Sequence, residues 1–321
     1  MKRGGLLLAG LVALALVGVL LSRSFLGEAS VEKETPFVIP AGSSLTAVAS
    51  KLEAEGLITS ADGFLLHARL FGSSDPIQAG EFKLTPGMDQ GDILTAFQSG
   101  DVIRHYVTIP EGMSSILVHE RLLATDLLTG EIEVPPEGSI LPDTYSYQRG
   151  ASRAQLVERM QKAMDQALAE EWARRSPNAA VETMRDALIL ASIVEKETGK
   201  PEERRQIAGL YSNRVRTGML LQADPTIIYP ITKGKPLGRR IRQSEIASVN
   251  GYNTYTRVGL PVGPITNPGR ESIAAVLDPA QTGALFMVAD GTGGHKFAET
   301  NEEHNANVEK WYRLRRERGE M

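Results

Sequence analysis

The chain reads as an α+β protein behind an N-terminal transmembrane helix: a small α+β module comes first, then a larger α+β domain that carries the chemistry. Three observations give that class. Residues 4–21 form an 18-residue run without charge, after Met1-Lys2-Arg3 and before Ser22-Arg23-Ser24. Between about residues 36 and 108, short strand-like segments alternate with amphipathic helical runs. Beyond that, helical patterning dominates, broken by loops rich in Gly, Pro, Asn and Tyr.

The uncharged run at about 1.5 Å per residue spans about 27 Å, enough for a bilayer core. Lys2 and Arg3 ahead of it favour an N-in orientation, which puts the remaining chain outside the cytoplasm. A cleaved signal peptide is the rival, but no Ala-x-Ala site directly follows the run, so a retained anchor is expected. Residues 1–27 are therefore assigned to a cytoplasmic stub and transmembrane anchor, 28–35 to a tether, 36–108 to the small module and 109–321 to the larger domain.

Composition suits folded exterior domains: of 321 residues, 42% are hydrophobic and 23% charged. Cysteine is absent, so no disulfide and no thiol nucleophile is available. A net charge of −4 gives no case for nucleic acid. Five histidines stand without ligand spacing, so no metal is expected. Gly291-Thr292-Gly293-Gly294 lacks the Lys-Ser/Thr of a phosphate loop and reads as a tight turn.

In the small module, Ile39-Pro40-Ala41-Gly42-Ser43-Ser44-Leu45 opens a helix through Val48 and Leu52. Residues 80–88 read as a strand ending at the Pro86-Gly87 turn, 92–97 as a short helix and 104–109 as a strand. The opening phrase recurs as Ile109-Pro110-Glu111-Gly112-Met113-Ser114-Ser115-Ile116, a weak internal repeat of a strand–turn–helix unit. Further on, Pro201 with Glu202 and Glu203 opens a helix whose apolar stripe is Ile207, Leu210, Tyr211 and Val215, with Gly218 as its stop. Asn267-Pro268-Gly269 reads as the cap of a helix through Ile273 and Leu277, and residues 310–318 as a basic helix end.

The helix from Met184 to about Glu197 bears the candidate acid. At 3.6 residues per turn, Leu188, Ala191, Ser192 and Glu195 share a face, and the small side chains leave room beside the Glu195 carboxyl. Apolar walls would disfavour its charged form and suit it to general acid work. Glu197 lies roughly 200° around the helix, so the two acids cannot act as a pair from one face. The Tyr252-Asn253-Thr254-Tyr255 cluster suits sugar, since rings stack and amides and hydroxyls bind hydroxyls.

Seven segments occur in order: Glu137-Gly138-Ser139-Ile140-Leu141-Pro142-Asp143-Thr144-Tyr145; Ile193-Val194-Glu195-Lys196-Glu197-Thr198; Asn213-Arg214; Leu221-Gln222-Ala223-Asp224-Pro225-Thr226; Tyr252-Asn253-Thr254-Tyr255; Gly259-Leu260-Pro261-Val262-Gly263-Pro264-Ile265 with Asn267-Pro268-Gly269; and His295-Lys296-Phe297. Together, from about residue 36 to 313, they resemble the endolytic murein transglycosylase family (MltG, YceG-like). The resemblance implies a single-pass protein of the bacterial inner membrane, with a LysM-like module and a periplasmic or extracytoplasmic catalytic domain. It implies cleavage of nascent peptidoglycan between N-acetylmuramic acid and N-acetylglucosamine, leaving a 1,6-anhydro end. It places the catalytic glutamate at Glu195 and keeps Gln222 and Asp224 together at the site. Ser192, Gln222, Asp224, Tyr252, Asn253, Thr254 and Tyr255 are accordingly the expected substrate-binding residues. Peptidoglycan strands, the membrane and peptidoglycan synthases are the expected partners.

The chemistry agrees. A glycosidic bond needs a proton on the leaving oxygen, and the sugar's own 6-hydroxyl can then attack, so one carboxyl group serves as acid first and base second. No cofactor is needed. Two alternatives stay open: a muramidase-type hydrolase with a second carboxylate such as Asp224 or Asp143, and a non-catalytic peptidoglycan-binding scaffold. Asp143 and His295 also read as structural hydrogen-bonding groups.

Overall fold

A computed structural model describes residues 29–320. The anchor expected over residues 4–21 lies outside them; among the described residues no helix is long and apolar enough to cross a membrane. Among the described residues the mixed α+β class holds, with three separate two-stranded sheets and far more helix than strand. The chain divides into two compact units between His105 and Tyr106.

The first unit is built as strand, helix, helix, strand, helix: β1 Thr35–Ile39, α1 Leu45–Ala54, α2 Ala61–Phe71, β2 Gly80–Leu84 and α3 Gln90–Ser99. Each helix starts on a polar cap. Ser44 accepts from Ala47 N (3.2 Å), Ser60 from Gly63 N (3.1 Å), and Asp89 and Asp92 form a capping box. β1 and β2 pair antiparallel with Phe37 opposite Phe82. Phe97 of α3 stacks on Phe37 at 5.5 Å and meets Phe82 edge-on at 4.9 Å. These three fully buried rings centre a core completed by Leu52, Phe64, Leu84 and Ile93.

The division falls one residue into β3 (His105–Thr108), and the second unit continues with α4 Ser115–Leu123 and β4 Thr144–Tyr147, with β3 and β4 paired. The repeated phrase does fold alike: glycine with positive φ at 42 and at 112, then a helix after Ser44 and after Ser114. A long α5 (Arg153–Ala173) follows, then α6 (Met184–Glu197), α7 (Pro201–Arg216), α8 (Pro225–Thr232), the single-turn α9 (Gln243–Ile246) and α10 (Arg270–Leu277). An antiparallel hairpin of β5 (Phe286–Ala289) and β6 (His295–Ala298) leads to α11 (Asn301–Glu317).

The main core joins α6, α7 and α10 through Leu190, Val194, Ile207, Leu210, Ile273 and Val276. A second cluster, with Val118, Leu122, Ile140 and Met160, joins α4 to α5. The expected stripe of α7 is there: Ile207, Leu210 and Tyr211 are buried, and Gly218 takes φ +67° just after the helix. α6 is buried almost without interruption from Ala187 to Val194, so whatever its last turn carries is held rigidly.

Candidate active site

Helix α6 starts on Thr183, whose hydroxyl oxygen accepts from Asp186 N (3.0 Å). It ends at Glu197 because Pro201 forces the preceding Lys200 out of helical geometry and Thr198 is already extended. Its final turn presents two acids, Glu195 and Glu197, in different surroundings.

Glu195 faces the start of α10. Its Oε2 accepts from Gly269 N (3.0 Å) and from the buried Ser272 hydroxyl (2.7 Å). The carboxyl group thus supplies an acceptor to the exposed amide end of another helix, where negative charge is favoured. Gly112 packs on its side chain, and Lys196 Nζ reaches Gly112 O at 3.4 Å. Glu111 lies alongside, held by Arg204 at 3.3 Å. Burial, and then the Glu195 charge, raise the Glu111 carboxyl above its ordinary range. A Cβ on residue 269 would meet the Glu111 side chain where it now lies, so glycine there lets Glu111 approach this closely.

Asn267 ties the same region together. Its amide donates to Met113 O (2.9 Å), Ser115 Oγ (3.1 Å) and Glu137 Oε1 (3.4 Å), while its Oδ1 accepts from Ile140 N (3.0 Å). The 109–115, 137–145 and 267–269 motifs are therefore one structural knot. Asp143 belongs to it, since its carbonyl accepts from Ile109 N at 2.9 Å.

Glu197 faces the other way, into a cavity of about 430 Å³. Tyr211 of α7 donates its hydroxyl to Glu197 Oε1 at 2.9 Å. Burial pushes this carboxyl up to about 7, and the nearby Asp224 charge adds to the rise, against the Tyr211 hydrogen bond, His295 and Arg214. An acid with such a value is partly protonated near neutrality, the condition for giving a proton and later retrieving one.

The cavity wall explains why these residues come together. Leu221 and Ala223 are fully buried, so the intervening Gln222 and the following Asp224 point outward into the cavity. Gln222 holds φ +51°, the left-handed region that a non-glycine residue enters at a cost, and its N–H donates to Thr254 O (3.2 Å). Tyr255 donates its hydroxyl to Asp224 Oδ1 at 2.6 Å. Arg214, nearly buried, spends Nε on Leu285 O (2.7 Å) and Nη1 on Leu220 O (3.2 Å) and Leu221 O (2.7 Å), which clamps the 217–224 loop and the approach to β5 onto α7. His295 closes the wall from β6. Glu203 receives both its N–H and its Nδ1 at 2.9 Å, which leaves Nε2 as the ring nitrogen for a ligand.

Of the expected binding residues, then, Gln222, Asp224 and Tyr255 line a cavity, and it is the cavity of Glu197. The others serve the scaffold. Ser192 is fully buried; its hydroxyl donates to Ile189 O (2.7 Å) and accepts from Ile265 N (3.1 Å). Asn253, also fully buried, staples its loop through Ile246 O (2.9 Å) and Ser248 O (2.7 Å), and its Oδ1 accepts from Tyr255 N (2.9 Å). Thr254 accepts from Ala223 N (3.1 Å) and shares a 2.9 Å hydrogen bond with Thr226. Tyr252 packs on Tyr229 at 4.9 Å. Asn253 and Thr254 thus place Tyr255 and Asp224. Sequence reasoning set Glu197 apart from the Glu195 face, put Tyr211 in a core stripe and Arg214 in a motif, and brought none of the three to this cavity. The 200° separation of the two acids was the signal that their surroundings had to differ.

Taken together, a helix-borne carboxyl group raised toward neutrality stands in a polar cavity with a second carboxyl group nearby, an arrangement able to exchange a proton with a ligand. The family follows from comparison. The model of the YceG-like family matches residues 37–310, and the chain belongs to that family. It is 28% identical over 313 residues to an endolytic murein transglycosylase of Bacillus subtilis (strain 168), covering 87% of this chain and 85% of that one. An endolytic murein transglycosylase of Streptococcus pneumoniae serotype 2 is 28% identical over 331 residues, covering 88% of this chain and 59% of that one. The crystal structure of a yceG-like protein from Listeria monocytogenes matches with a TM-score of 0.53 at 28% identity, covering 85% of this chain and 99% of that one.

Proposed function

We propose that this chain is an endolytic peptidoglycan lytic transglycosylase with Glu197, rather than Glu195, as its general acid and base. The family and the name of its relatives supply the reaction class. The observation that carries the residue assignment is the cavity: Glu197, raised to about 7, stands there with Gln222, Asp224 and Tyr255, while Glu195 faces the start of α10 and holds it through Oε2.

In the first step, protonated Glu197 gives its proton to the glycosidic oxygen between N-acetylmuramic acid and N-acetylglucosamine. That C–O bond breaks, and positive charge develops at the muramic anomeric carbon. The Asp224 carboxylate, fixed by the Tyr255 hydroxyl, supplies negative charge across the cavity. The sugar's 6-hydroxyl then attacks that carbon and gives its proton to the Glu197 carboxylate. The product carries a 1,6-anhydro ring and the acid is restored. Gln222 and His295 offer hydrogen bonds to sugar hydroxyls and amides.

A second reading has specific support, because Asp224 is a second carboxylate in the same cavity. As a base for water it would make the protein a hydrolase. Mass spectrometry of fragments released from peptidoglycan separates the two: the anhydro end is one water lighter than the hydrolysed end. A product bearing the extra water would reject the transglycosylase reading.

The remaining assignments are proposals on the same footing. The β1–α1–α2–β2 unit is a LysM-like module that holds the glycan strand. Residues 4–21 anchor the protein in the bacterial inner membrane with both units outside, near the synthases that make the substrate. N-terminal sequencing of the membrane-extracted protein tests the anchor, since a chain that begins after Ser22 would have lost it.

A further inference from the structure

This inference rests on the reading of Glu197 as the acid. Glu197 is approached from every side by named groups: Tyr211 and Arg214 from α7, Asp224 from the loop before α8, Tyr255 from the 252–255 cluster, His295 from β6 and His304 from α11. Among the described residues only Tyr211 hydrogen-bonds the carboxyl group itself, through Oε1 at 2.9 Å. The Tyr211 ring is almost wholly buried, so the direction of its hydroxyl is fixed by packing. Burial holds the phenol well above its ordinary range, so it keeps its proton and acts as a donor at every working pH.

We propose that Tyr211 is a positioning residue: its hydroxyl claims Oε1 of Glu197 as an acceptor and so leaves Oε2 as the oxygen that carries the transferable proton. A protonated carboxyl group has one carbonyl-type oxygen and one hydroxyl oxygen, and the carbonyl oxygen is the better acceptor. A fixed donor on Oε1 therefore selects the tautomer with the proton on Oε2. Once that proton has gone to the leaving group, the same phenol donates to a carboxylate, and the hydrogen bond strengthens with the charge. It thus favours loss of the proton in the first step, and in the second it directs the returning proton to the same oxygen. Asp224 works against it, because its charge disfavours ionised Glu197. The two neighbours set opposing demands on one acid.

The test is the pH profile of kcat with the full-length protein and purified peptidoglycan strands, measured beside the Glu197→Gln protein. Cleavage needs protonated Glu197, so kcat falls as pH rises through about 7. Tyr211→Phe removes the donor without changing the ring. It should lower kcat by roughly ten-fold with little change in KM, and move the alkaline limb upward by about half a pH unit or more. Asp224→Asn should move the limb downward. Fluorotyrosine placed at position 211 is a stronger donor of the same shape, and should also move the limb downward, which a purely structural role would not do. A Tyr211→Phe protein that is folded by its melting curve but keeps the wild-type limb overturns the positioning role. So does a fluorotyrosine protein with an unmoved limb. If Glu197→Gln itself cleaves normally, the acid assignment fails first and the role of Tyr211 falls with it.

Discussion

The two acids in the last turn of α6 are two residues apart in the chain and belong to different parts of the machinery. Glu195 serves the start of α10: two donors from there converge on its Oε2, and Glu111 crowds its flank. Glu197 is held by one donor on one oxygen and stands over open space. A carboxylate that satisfies a helix-end amide and a buried hydroxyl has a structural task. One that stands over a cavity and is raised toward neutrality suits proton transfer. Helical geometry makes the division possible, since a two-residue step turns the side chain to the far side.

The strongest test of this contrast is activity. Glu197→Gln keeps an oxygen for the Tyr211 hydroxyl but has no proton to give, so strand cleavage should fall by about 10²-fold or more. Glu195→Gln in the same assay should keep activity within about ten-fold of wild type. The reverse ranking would return the chemistry to Glu195 and reduce the cavity to a surface recess.

Stability should rank the pair the other way. Glu195→Ala leaves Gly269 N and Ser272 without their acceptor, at a cost of about 2 kcal/mol. Relief of the charge on Glu111 offsets part of that loss. Urea denaturation at pH 7 measures it, and an unchanged midpoint would contradict the capping role.

For Glu197 the sign is opposite. Its folded-state value of about 7 exceeds the ordinary 4.5 of a glutamate, so between those values the folded protein holds a proton that the unfolded chain has already released. Its contribution is most favourable below about pH 4.5 and is lost as pH rises through about 7. Glu197→Gln should therefore stabilise the protein by about 1–2 kcal/mol at pH 8, after allowance for water in the cavity, and by almost nothing at pH 4.5. Denaturation curves at the two pH values check this. An equal change at both would mean that the residue is not strained by ionisation. The smallest effect expected is from chelation: activity should survive excess EDTA, and loss restored by one divalent ion would overturn a mechanism built on carboxyl groups alone.

Much of this was legible in the chain. The α6 pattern, its small residues and the opposed directions of the two acids follow from 3.6-residue periodicity. Pro201 and Gly218 bound α7 as expected. Which acid meets a cavity was not legible, because the cavity is made by Tyr211, Asp224, Tyr255 and His295, none within the same helix. Periodicity describes one element and is silent on what packs against each side. The Tyr252–Tyr255 cluster shows the same limit. Hydrogen-bonding side chains suited sugar, yet Asn253 and Thr254 are wholly buried and spend their bonds on their own scaffold. Residue type gave the capacity to bond; only the three-dimensional arrangement assigns the partner.

The pairing of Asp224 with the Tyr255 hydroxyl has a pharmacological consequence. It keeps an anion beside an acid that is neutral below about pH 7 and charged above it. A neutral sugar meets one more negative charge in alkaline conditions than in acid ones. An inhibitor with a protonated ring nitrogen, imitating the charge of a breaking glycosidic bond, should therefore bind more tightly as the medium becomes alkaline, up to the point where the inhibitor loses its own proton. The enzyme's weakest pH range for turnover would be its most vulnerable range for blockade.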